Sequence, residues 1–375
     1  MDVIRLFLSG DVMTGRGIDQ VLPRPCEPTL YEPHVSSAKE YVALAENANG
    51  SVPAPIDMIY PWGDALAELE ARSLDARIIN LETSVTRHSN PAPKGINYRM
   101  SPENFACIGG AGVDCCVLAN NHVLDWGEAG LMETLDTIRT AGIAAPGAGC
   151  NLAEAAMPAP IRLSARCRLL VYACAFADSG VPRSWLAGSD RPGINLLPDF
   201  SVATARRIGE QIASMRGADD IAIVSVHWGG NWGYAVPTSH REFAHALLDD
   251  ADIDLVHGHS SHHCKAIEVH HGRLILYGCG DFITDYEGIT GYESFRGDLV
   301  LMYLPTLRRK GGALDSLTMI PFQLRRFRLN RAAPADAGWL CGVLDRECRR
   351  FGGAVELDQA GLLHFRGSRD GMIAE

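Results

Sequence analysis

The sequence lacks several features that would assign it to a special class of protein. No apolar run among its 375 residues approaches the roughly 18 to 20 residues needed to span a membrane. Positive charge is scarce, because 34 Lys and Arg stand against 45 Asp and Glu, a formal net charge of −11. Since nucleic-acid binding needs a basic surface, this balance argues against such a partner. We therefore expect neither nucleic acid nor a membrane as a partner.

The sequence also lacks a C-x-x-C pair that would hold zinc, and its eleven cysteines are an odd number. A chain of this length can bury a large core without disulfides. The N-terminal run Val3–Ser9 is interrupted by Arg5 and ends at Gly10-Asp11, so it has neither the apolar region nor the cleavage site of a signal peptide. The sequence thus predicts a first β-strand there and a reducing, cytoplasmic location.

Strand-like and helix-like segments alternate along the chain, which predicts a layered α/β fold. The predicted strands are Val3–Ser9, Arg77–Leu81, Asp114–Ala119, Arg168–Phe176, Ile221–Val226, Asp254–Val256, Arg273–Tyr277 and Asp298–Leu304. The predicted helices are Gly63–Leu74, Glu128–Ala141, Val202–Arg216, His240–Asp250 and Ala335–Phe351. We expect one catalytic domain over residues 1–324, with an irregular insertion at about 21–61, and a helical appendage over residues 325–375.

Polar residues follow five of the predicted strands at the point where each strand ends. They are Asp11, Glu82, the segment Asn120-Asn121-His122, His227 and the segment His257-Gly258-His259. Because the carboxyl ends of strands in α/β sheets converge on one edge, these side chains are expected to lie together. Carboxylate, amide and imidazole ligands suit a divalent ion such as manganese, zinc or iron. The sequence therefore predicts a metal site at this edge.

Several motifs, in this order and spacing, resemble those of the CapA family, named for poly-γ-glutamate capsule biosynthesis and related to calcineurin-like metallophosphoesterases. They are Leu8–Arg16 (LSGDVMTGR), Asn80–Thr83 (NLET), Ala119–His122 (ANNH), Asp125–Gly127 (DWG), Val226–Gly229 (VHWG) and Gly258–His262 (GHSSH). The resemblance runs from about Val3 to Leu304. It implies a four-layer α/β/β/α sandwich of the metallophosphoesterase type, with one or two divalent ions, of manganese, zinc, iron or calcium, at the sheet edge.

The resemblance also implies residue roles. The metal ligands would be Asp11, Glu82 in the place of a bridging aspartate, Asn121, His227 and His259, with His262 matching the last motif. His122 would be the neighbouring acid.

The chain departs from the family pattern at four positions. Met13 stands where phosphoesterases usually have a histidine, which weakens the second metal position and leaves a one-ion site open. Glu82 is longer than the usual aspartate, Ser260 replaces a histidine, and Asp281 stands where the family tends to have asparagine. An ionisable carboxylate is therefore expected beside the site.

Three functions remain open on this basis. The first is a peptide epimerase, because some CapA-like proteins of peptide biosynthesis, including that of lasso peptides, look like epimerases. In this reaction a metal stabilises an enolate while His122 and either His257 or His262 move the Cα proton, with Asp281 as a further candidate. A peptide would then lie in a groove formed by the insertion and the loop of Trp185.

The second function is a metal-dependent phosphoesterase, with Arg16 and Arg99 as candidate phosphate contacts and Trp228, beside His227, as a further substrate contact. The third is a non-catalytic accessory protein of capsule or poly-γ-glutamate synthesis. The missing anchor and the altered first motif favour the epimerase, the phosphoesterase follows closely, and clustered titratable groups argue against a scaffold alone.

Overall fold

The structure, a computed structural model, describes residues 3–165 and 167–367. Its strands are β1 (Val3–Val12), β2 (Ala76–Leu81), β3 (Ser84–Val85), β4 (Arg99–Met100), β5 (Cys115–Val117), β6 (Ala148–Gly149), β7 (Ala159–Arg162), β8 (Arg168–Ala175), β9 (Gly193–Ile194), β10 (Ile221–His227), β11 (Leu255–His259), β12 (Ile267–His270), β13 (Arg273–Leu276), β14 (Asp281–Ile283), β15 (Leu299–Arg308), β16 (Leu314–Leu324), β17 (Leu329–Arg331), β18 (Ala354–Leu357) and β19 (Leu363–Arg366). Its α-helices are α1 (Arg16–Val21), α2 (Lys39–Asn49), α3 (Gly63–Glu70), α4 (Ala106–Gly109), α5 (Gly127–Thr140), α6 (Leu152–Ala155), α7 (Val202–Ala213), α8 (Thr238–Asp249) and α9 (Pro334–Cys348).

Two large sheets organise the chain. The nine-stranded sheet has the order β18-β19-β16-β15-β1-β2-β5, with β14 also paired to β1 and β17 to β16. The six-stranded sheet has the order β12-β13-β11-β10-β8-β7, in which β8, β10, β11 and β13 run parallel. The predicted α/β class is therefore confirmed.

The two sheets share one hydrophobic core. Leu6 and Leu8 of β1 belong to the same buried cluster as Ile223 of β10 and Leu255 of β11. A second cluster joins the opposite face of the six-stranded sheet to α7 and α8. Because β10 is buried on both faces, its sequence is an almost continuous apolar run, as is usual for central parallel strands.

Among the differences from the sequence-based expectations, three concern the insertion, strand β11 and the C-terminal region. The insertion at about 21–61 is not wholly irregular, since it holds the helix α2. Strand β11 continues to His259, three residues beyond its predicted end, so His257 lies inside a sheet. Beyond residue 324 the expected helix is present as α9, but β17, β18 and β19 also join the nine-stranded sheet, and residues 368–375 of the expected appendage lie outside the described residues.

Within the described ranges, none of the helices combines the length and apolar character that crossing a bilayer requires.

Candidate functional site

A cavity of about 900 Å³ opens where the carboxyl ends of strands from both sheets meet. Its floor includes Glu82, Asn121, His122 and Asp281, which the sequence analysis had singled out. Its walls carry five aromatic side chains: Tyr41, Tyr98, Trp232, Tyr286 and Tyr292. The cavity therefore combines a polar floor with aromatic walls, as ligand pockets generally do.

The first group of ligand-type side chains lies at the ends of β1, β10 and β11. Single ligand atoms of Asp11, His227 and His259 all lie within 4.8 Å of one another. His227 and His259 are register partners on neighbouring parallel strands, and their Nδ1 atoms are 2.9 Å apart. Glu82 Oε1 lies 3.9 Å from His227 Nε2, so the bridging candidate borders the same group. We call Asp11, His227 and His259 the first cluster.

A second group shares Asp11 with the first. Ligand atoms of Asp11, His262 and Asp281 lie within 4.8 Å of one another, and we call these three residues the second cluster. Asp11 and Asp281 are register partners because β14 pairs in parallel with β1. Met13 is fully buried and supplies no imidazole here. The ligand-type atoms of the second cluster besides Asp11 therefore come from His262 and Asp281.

The close approach of β1 to the segment before β14 depends on a glycine. A Cβ atom on Gly10 would lie 1.8 Å from the carbonyl oxygen of Gly280, so no larger residue fits there. The Asp11 carboxylate is oriented from the other side, because Asn80 Nδ2 donates to its Oδ1 at 2.7 Å. Asn120 Nδ2 in turn donates to Asn80 Oδ1 at 3.0 Å. The close approach of Gly10 to Gly280 and the hydrogen bonds from Asn120 to Asn80 and from Asn80 to Asp11 therefore hold Asp11 where it belongs to both clusters.

Five buried polar atoms at this site have no hydrogen-bond partner in the described chain: Asp11 Oδ2, Glu82 Oε2, Asn121 Oδ1, His227 Nε2 and Asp281 Oδ2. Each such atom costs roughly 1–3 kcal/mol when it is left unpaired. Carboxylate oxygens, an amide oxygen and an imidazole nitrogen are all ligands for divalent ions of intermediate hardness. This donor set therefore fits a bound divalent cation.

The electrostatics of the site agree with that fit. Burial raises the pKa of Asp11 to about 6, and the charge of Asp281 adds to the shift. Burial and the neighbouring Asp11 raise the pKa of Glu82 well above its usual range. Burial lowers the pKa of both His227 and His259 well below the usual value, so both imidazoles are neutral at pH 7. Crowded carboxylates beside neutral imidazoles are the arrangement that a cation would stabilise.

His122 stands beside the first cluster with one nitrogen held and the other facing Glu82. Its Nδ1 lies 2.6 Å from Asp125 Oδ2, its ring stacks on Tyr98 at 3.7 Å, and its Nε2 lies 4.0 Å from Glu82 Oε1. Burial, with a contribution from Lys94, lowers the pKa of His122 to about 4. The imidazole is therefore neutral at pH 7. With Nδ1–H donated to Asp125, its Nε2 is a proton acceptor.

His257 does not line the cavity, which corrects its prediction as an acid or base. Its Nε2 lies 2.9 Å from the backbone oxygen of Ser9, and its Nδ1 lies 3.0 Å from Ser225 Oγ. Both ring nitrogens therefore have hydrogen-bond partners, one in each large sheet. Of the two alternatives for a second acid or base, only His262 borders the cavity.

Arg16 lines the cavity, but its charge is already paired. Its guanidinium contacts Glu32 at 2.9 Å and Asp285 at 2.6 Å, and it lies over the ring of Tyr41 at 3.7 Å. Because Glu32 and Tyr41 belong to the insertion, Arg16 ties the insertion to the wall of the cavity.

The other two predicted substrate contacts lie away from the cavity, which corrects both assignments. Arg99 donates to the backbone oxygens of His88 at 2.7 Å and Glu27 at 2.9 Å. Trp228 is buried in the second core and donates from Nε1 to the backbone oxygen of Tyr277 at 2.9 Å. Neither side chain reaches the polar floor, because each is held by partners in its own layer.

Several cavity residues were not predicted from the sequence. Lys94, on the loop before β4, pairs with Asp125 at 2.8 Å and lies 5.2 Å from the ring centre of Trp185. Trp232 stacks on Tyr292 at 4.1 Å and forms an aromatic wall. Both residues lie on loops, where the sequence shows no periodic pattern. The one available signal was the aromatic residue Trp232 in the glycine-rich segment that follows β10.

Comparison with known proteins identifies the family. The chain matches the family model described as "Bacterial capsule synthesis protein PGA_cap" over residues 5–286. It is 46% identical over 356 residues to a probable polyglutamine synthesis accessory protein of Mycobacterium tuberculosis, covering 94% of this chain and 93% of that relative. It is 28% identical over 244 residues to the PGA biosynthesis protein CapA of Bacillus subtilis, covering 64% of this chain and 60% of that relative. It is 22% identical over 323 residues to the capsule biosynthesis protein CapA of Bacillus anthracis, covering 86% of this chain and 68% of that relative. The predicted resemblance is thereby confirmed, and the chain belongs to the CapA, or PGA_cap, family.

Proposed function

We propose that this chain is a metal-dependent hydrolase of the phosphoesterase type that serves as an accessory protein in the synthesis of a glutamate polymer. The accessory role rests on the names of the relatives, which describe capsule or polyglutamine synthesis. The metal-dependent chemistry rests on one observation, the five unpartnered ligand-type atoms of Asp11, Glu82, Asn121, His227 and Asp281. A scaffold would gain nothing from burying them.

In this proposal each side chain has a defined task. A divalent ion, bound by the first cluster with Glu82 and Asn121, or by the second cluster, would supply a polarised water and neutralise substrate charge. Asp11 serves both clusters, Asn80 orients it, and Asp125 holds the proton on His122 Nδ1. His122 Nε2 then accepts a proton from a group in the cavity. The aromatic walls hold the rest of the substrate and limit the access of water.

We also propose a fold type, a catalytic unit and a cellular location for the chain. Two sheets sharing a core support the four-layer α/β/β/α sandwich of calcineurin-like metallophosphoesterases. Among the residues that the structure describes, those lining the cavity all lie between 16 and 324, which supports a catalytic unit over residues 1–324 and a non-catalytic role for residues 325–375. The eleven cysteines are unpaired thiols, which supports a reducing, cytoplasmic environment.

Hydrolysis of aryl phosphate mono- and diesters, with Mn²⁺, Zn²⁺, Fe²⁺ or Ca²⁺ added in turn, tests the proposal. We expect metal-dependent turnover by the wild-type protein and a loss of at least about 100-fold in Asp11→Ala. Equal turnover by both proteins would contradict it, as would a wild-type protein that binds no divalent ion.

A peptide epimerase is the second candidate, and one observation favours it. The three cations that line the cavity are all ion-paired: Arg16 with Glu32 and Asp285, Lys94 with Asp125, and Arg296 with Asp298 and Asp336. A phosphate would therefore find its countercharge mainly on bound metal, whereas an uncharged peptide needs none. His122 and His262 would be the two acid and base groups. Deuterium incorporation at a peptide Cα in heavy water, without hydrolysis of phosphate esters, would replace the first proposal by this one.

A further inference from the structure

A chain of hydrogen bonds runs from the nine-stranded sheet to the first cluster. Strands β10 and β11 are parallel neighbours, with Ser225 opposite His257 and His227 opposite His259. Residues two apart on a strand point to the same face, so these four side chains form one row. The row begins at the backbone oxygen of Ser9 and ends at His227 Nε2.

The direction of every hydrogen bond in this row follows from its first member. The Ser9 carbonyl oxygen can only accept, so His257 Nε2, at 2.9 Å, carries a hydrogen and donates it. The neutral ring then has a lone pair on Nδ1, which accepts from Ser225 Oγ at 3.0 Å.

The hydroxyl group of Ser225 fixes the directions of the next two hydrogen bonds in the row. Ser225 has a single hydroxyl hydrogen, already donated, so its 2.9 Å contact with His259 Nε2 requires that nitrogen to be the donor. His259 Nδ1 is then unprotonated and accepts from His227 Nδ1, 2.9 Å away. His227 Nε2 is left with a free lone pair, 3.9 Å from Glu82 Oε1.

We propose that Ser225 and His257 are positioning residues that fix the tautomers of His259 and His227, so that His259 Nδ1 accepts from His227 Nδ1 and His227 presents its unprotonated Nε2 toward Glu82. Neither Ser225 nor His257 contacts the cavity. Their effect is exerted through the ring hydrogens of the two candidate ligands. Without the serine hydroxyl, His259 can carry its hydrogen on Nδ1, so that it no longer accepts from His227 Nδ1, and the hydrogen of His227 can then lie on Nε2, where it opposes a cation. The inference rests on the proposed metal centre and explains why a polar row is buried within a sheet.

Metal affinity provides the first test. Isothermal titration of the metal-free full-length protein with Mn²⁺ and with Zn²⁺ would compare wild type, Ser225→Ala and Ser225→Thr. Loss of a partner that orients a ligand typically weakens metal binding by about 10- to 100-fold, which we expect for Ser225→Ala. Ser225→Thr keeps the hydroxyl group and should restore most of the affinity. Ser179→Ala is the matched control, because it removes a buried serine hydroxyl outside the row, which donates to the backbone oxygen of Phe176 at 2.7 Å.

The tautomers themselves provide a readout that is independent of metal and activity. Long-range ¹⁵N–¹H correlation spectra of metal-free wild-type protein should show hydrogen on Nε2 of His257 and His259 and on Nδ1 of His227. The spectrum of Ser225→Ala should lose the single tautomer of His259. A wild-type His259 with hydrogen on Nδ1, or unchanged metal affinity and tautomers in Ser225→Ala, would overturn the inference. A wild-type protein with these tautomers and no affinity for either ion would instead overturn the proposed function alone.

Discussion

His262 Nδ1 lies 3.0 Å from Asp281 Oδ1, and both side chains stand against Asp11. Burial opposes protonation of this imidazole, but the charge of Asp281 raises the pKa of His262 above its usual value. In the sequence both residues were assigned to proton transfer, and Met13 suggested a weakened second metal position. The structure brings ligand atoms of His262 and Asp281 within 4.8 Å of Asp11, where the three residues form the second cluster.

The first prediction concerns the number of bound ions. If the second cluster holds an ion, Asp281→Ala removes an anionic ligand and reduces the bound Mn²⁺ from two ions per chain to one. Asp281→Asn keeps a ligand oxygen without the charge, so it should retain two ions with weaker affinity. Elemental analysis after gel filtration measures both ratios. Two tightly bound ions in Asp281→Ala would exclude Asp281 as a ligand.

Asp11→Ala should have the largest effect of any single ligand change, because Asp11 belongs to both clusters. Metal contributes several kcal/mol to transition-state stabilisation, so we expect turnover to fall by at least about 100-fold. Metal-free Asp11→Ala should fold normally, since burial already disfavours the charged carboxylate that the substitution removes. Circular dichroism and turnover, measured on the same preparations, check this. An unfolded variant would show instead that Asp11 is required for the fold.

His122→Ala should separate proton transfer from metal binding. The neutral ring presents Nε2 toward Glu82, and positioned acid–base groups contribute about 10²- to 10⁴-fold to turnover. We therefore expect a loss of turnover in that range with unchanged metal stoichiometry. Loss of a bound ion in this variant would make His122 a ligand rather than a base.

Most of the metal-site residues are predictable from the sequence, but not all of their partners are. Asp11, Glu82, Asn121 and His227 follow apolar strand cores, a pattern that local sequence shows directly. The place of His262 and Asp281 depends on the pairing of β14 with β1, between segments 270 residues apart in register, which no local pattern reveals.

The role predicted for His257 was wrong because it too depends on contacts between segments that are distant in the sequence. Polar residues after Val256 suggested that β11 ends there, yet the strand continues because Ser225 and the Ser9 carbonyl give His257 hydrogen-bond partners inside the core. Lys94 and Trp232 reach the cavity from loops whose course is set by tertiary contacts.

Stability should fall in acid partly because of His257. Its folded-state pKa of about 4 lies below the unfolded value near 6.5, so between these values the unfolded chain binds more protons and stability rises with pH. The group alone should remove about 2 kcal/mol of unfolding free energy between pH 7 and pH 5. Urea unfolding of metal-free His257→Gln should lose less stability over this range than wild type. His271→Gln, which replaces an exposed imidazole in the turn before β13, is the matched control.

Arg16 provides a test of whether a cavity-lining cation binds substrate or holds the fold. Its guanidinium is buried and pairs with Glu32 and Asp285, so Arg16→Met leaves two carboxylates without their countercharge. Removing one partner of a buried ion pair costs about 3–5 kcal/mol, and we expect a loss of that size in the unfolding free energy measured by urea denaturation. Arg16→Lys keeps the charge but not the two-sided contact, and its loss should be smaller. Near wild-type stability of Arg16→Met together with a raised KM would assign Arg16 to the substrate, because a substrate contact contributes nothing to the stability of the free protein.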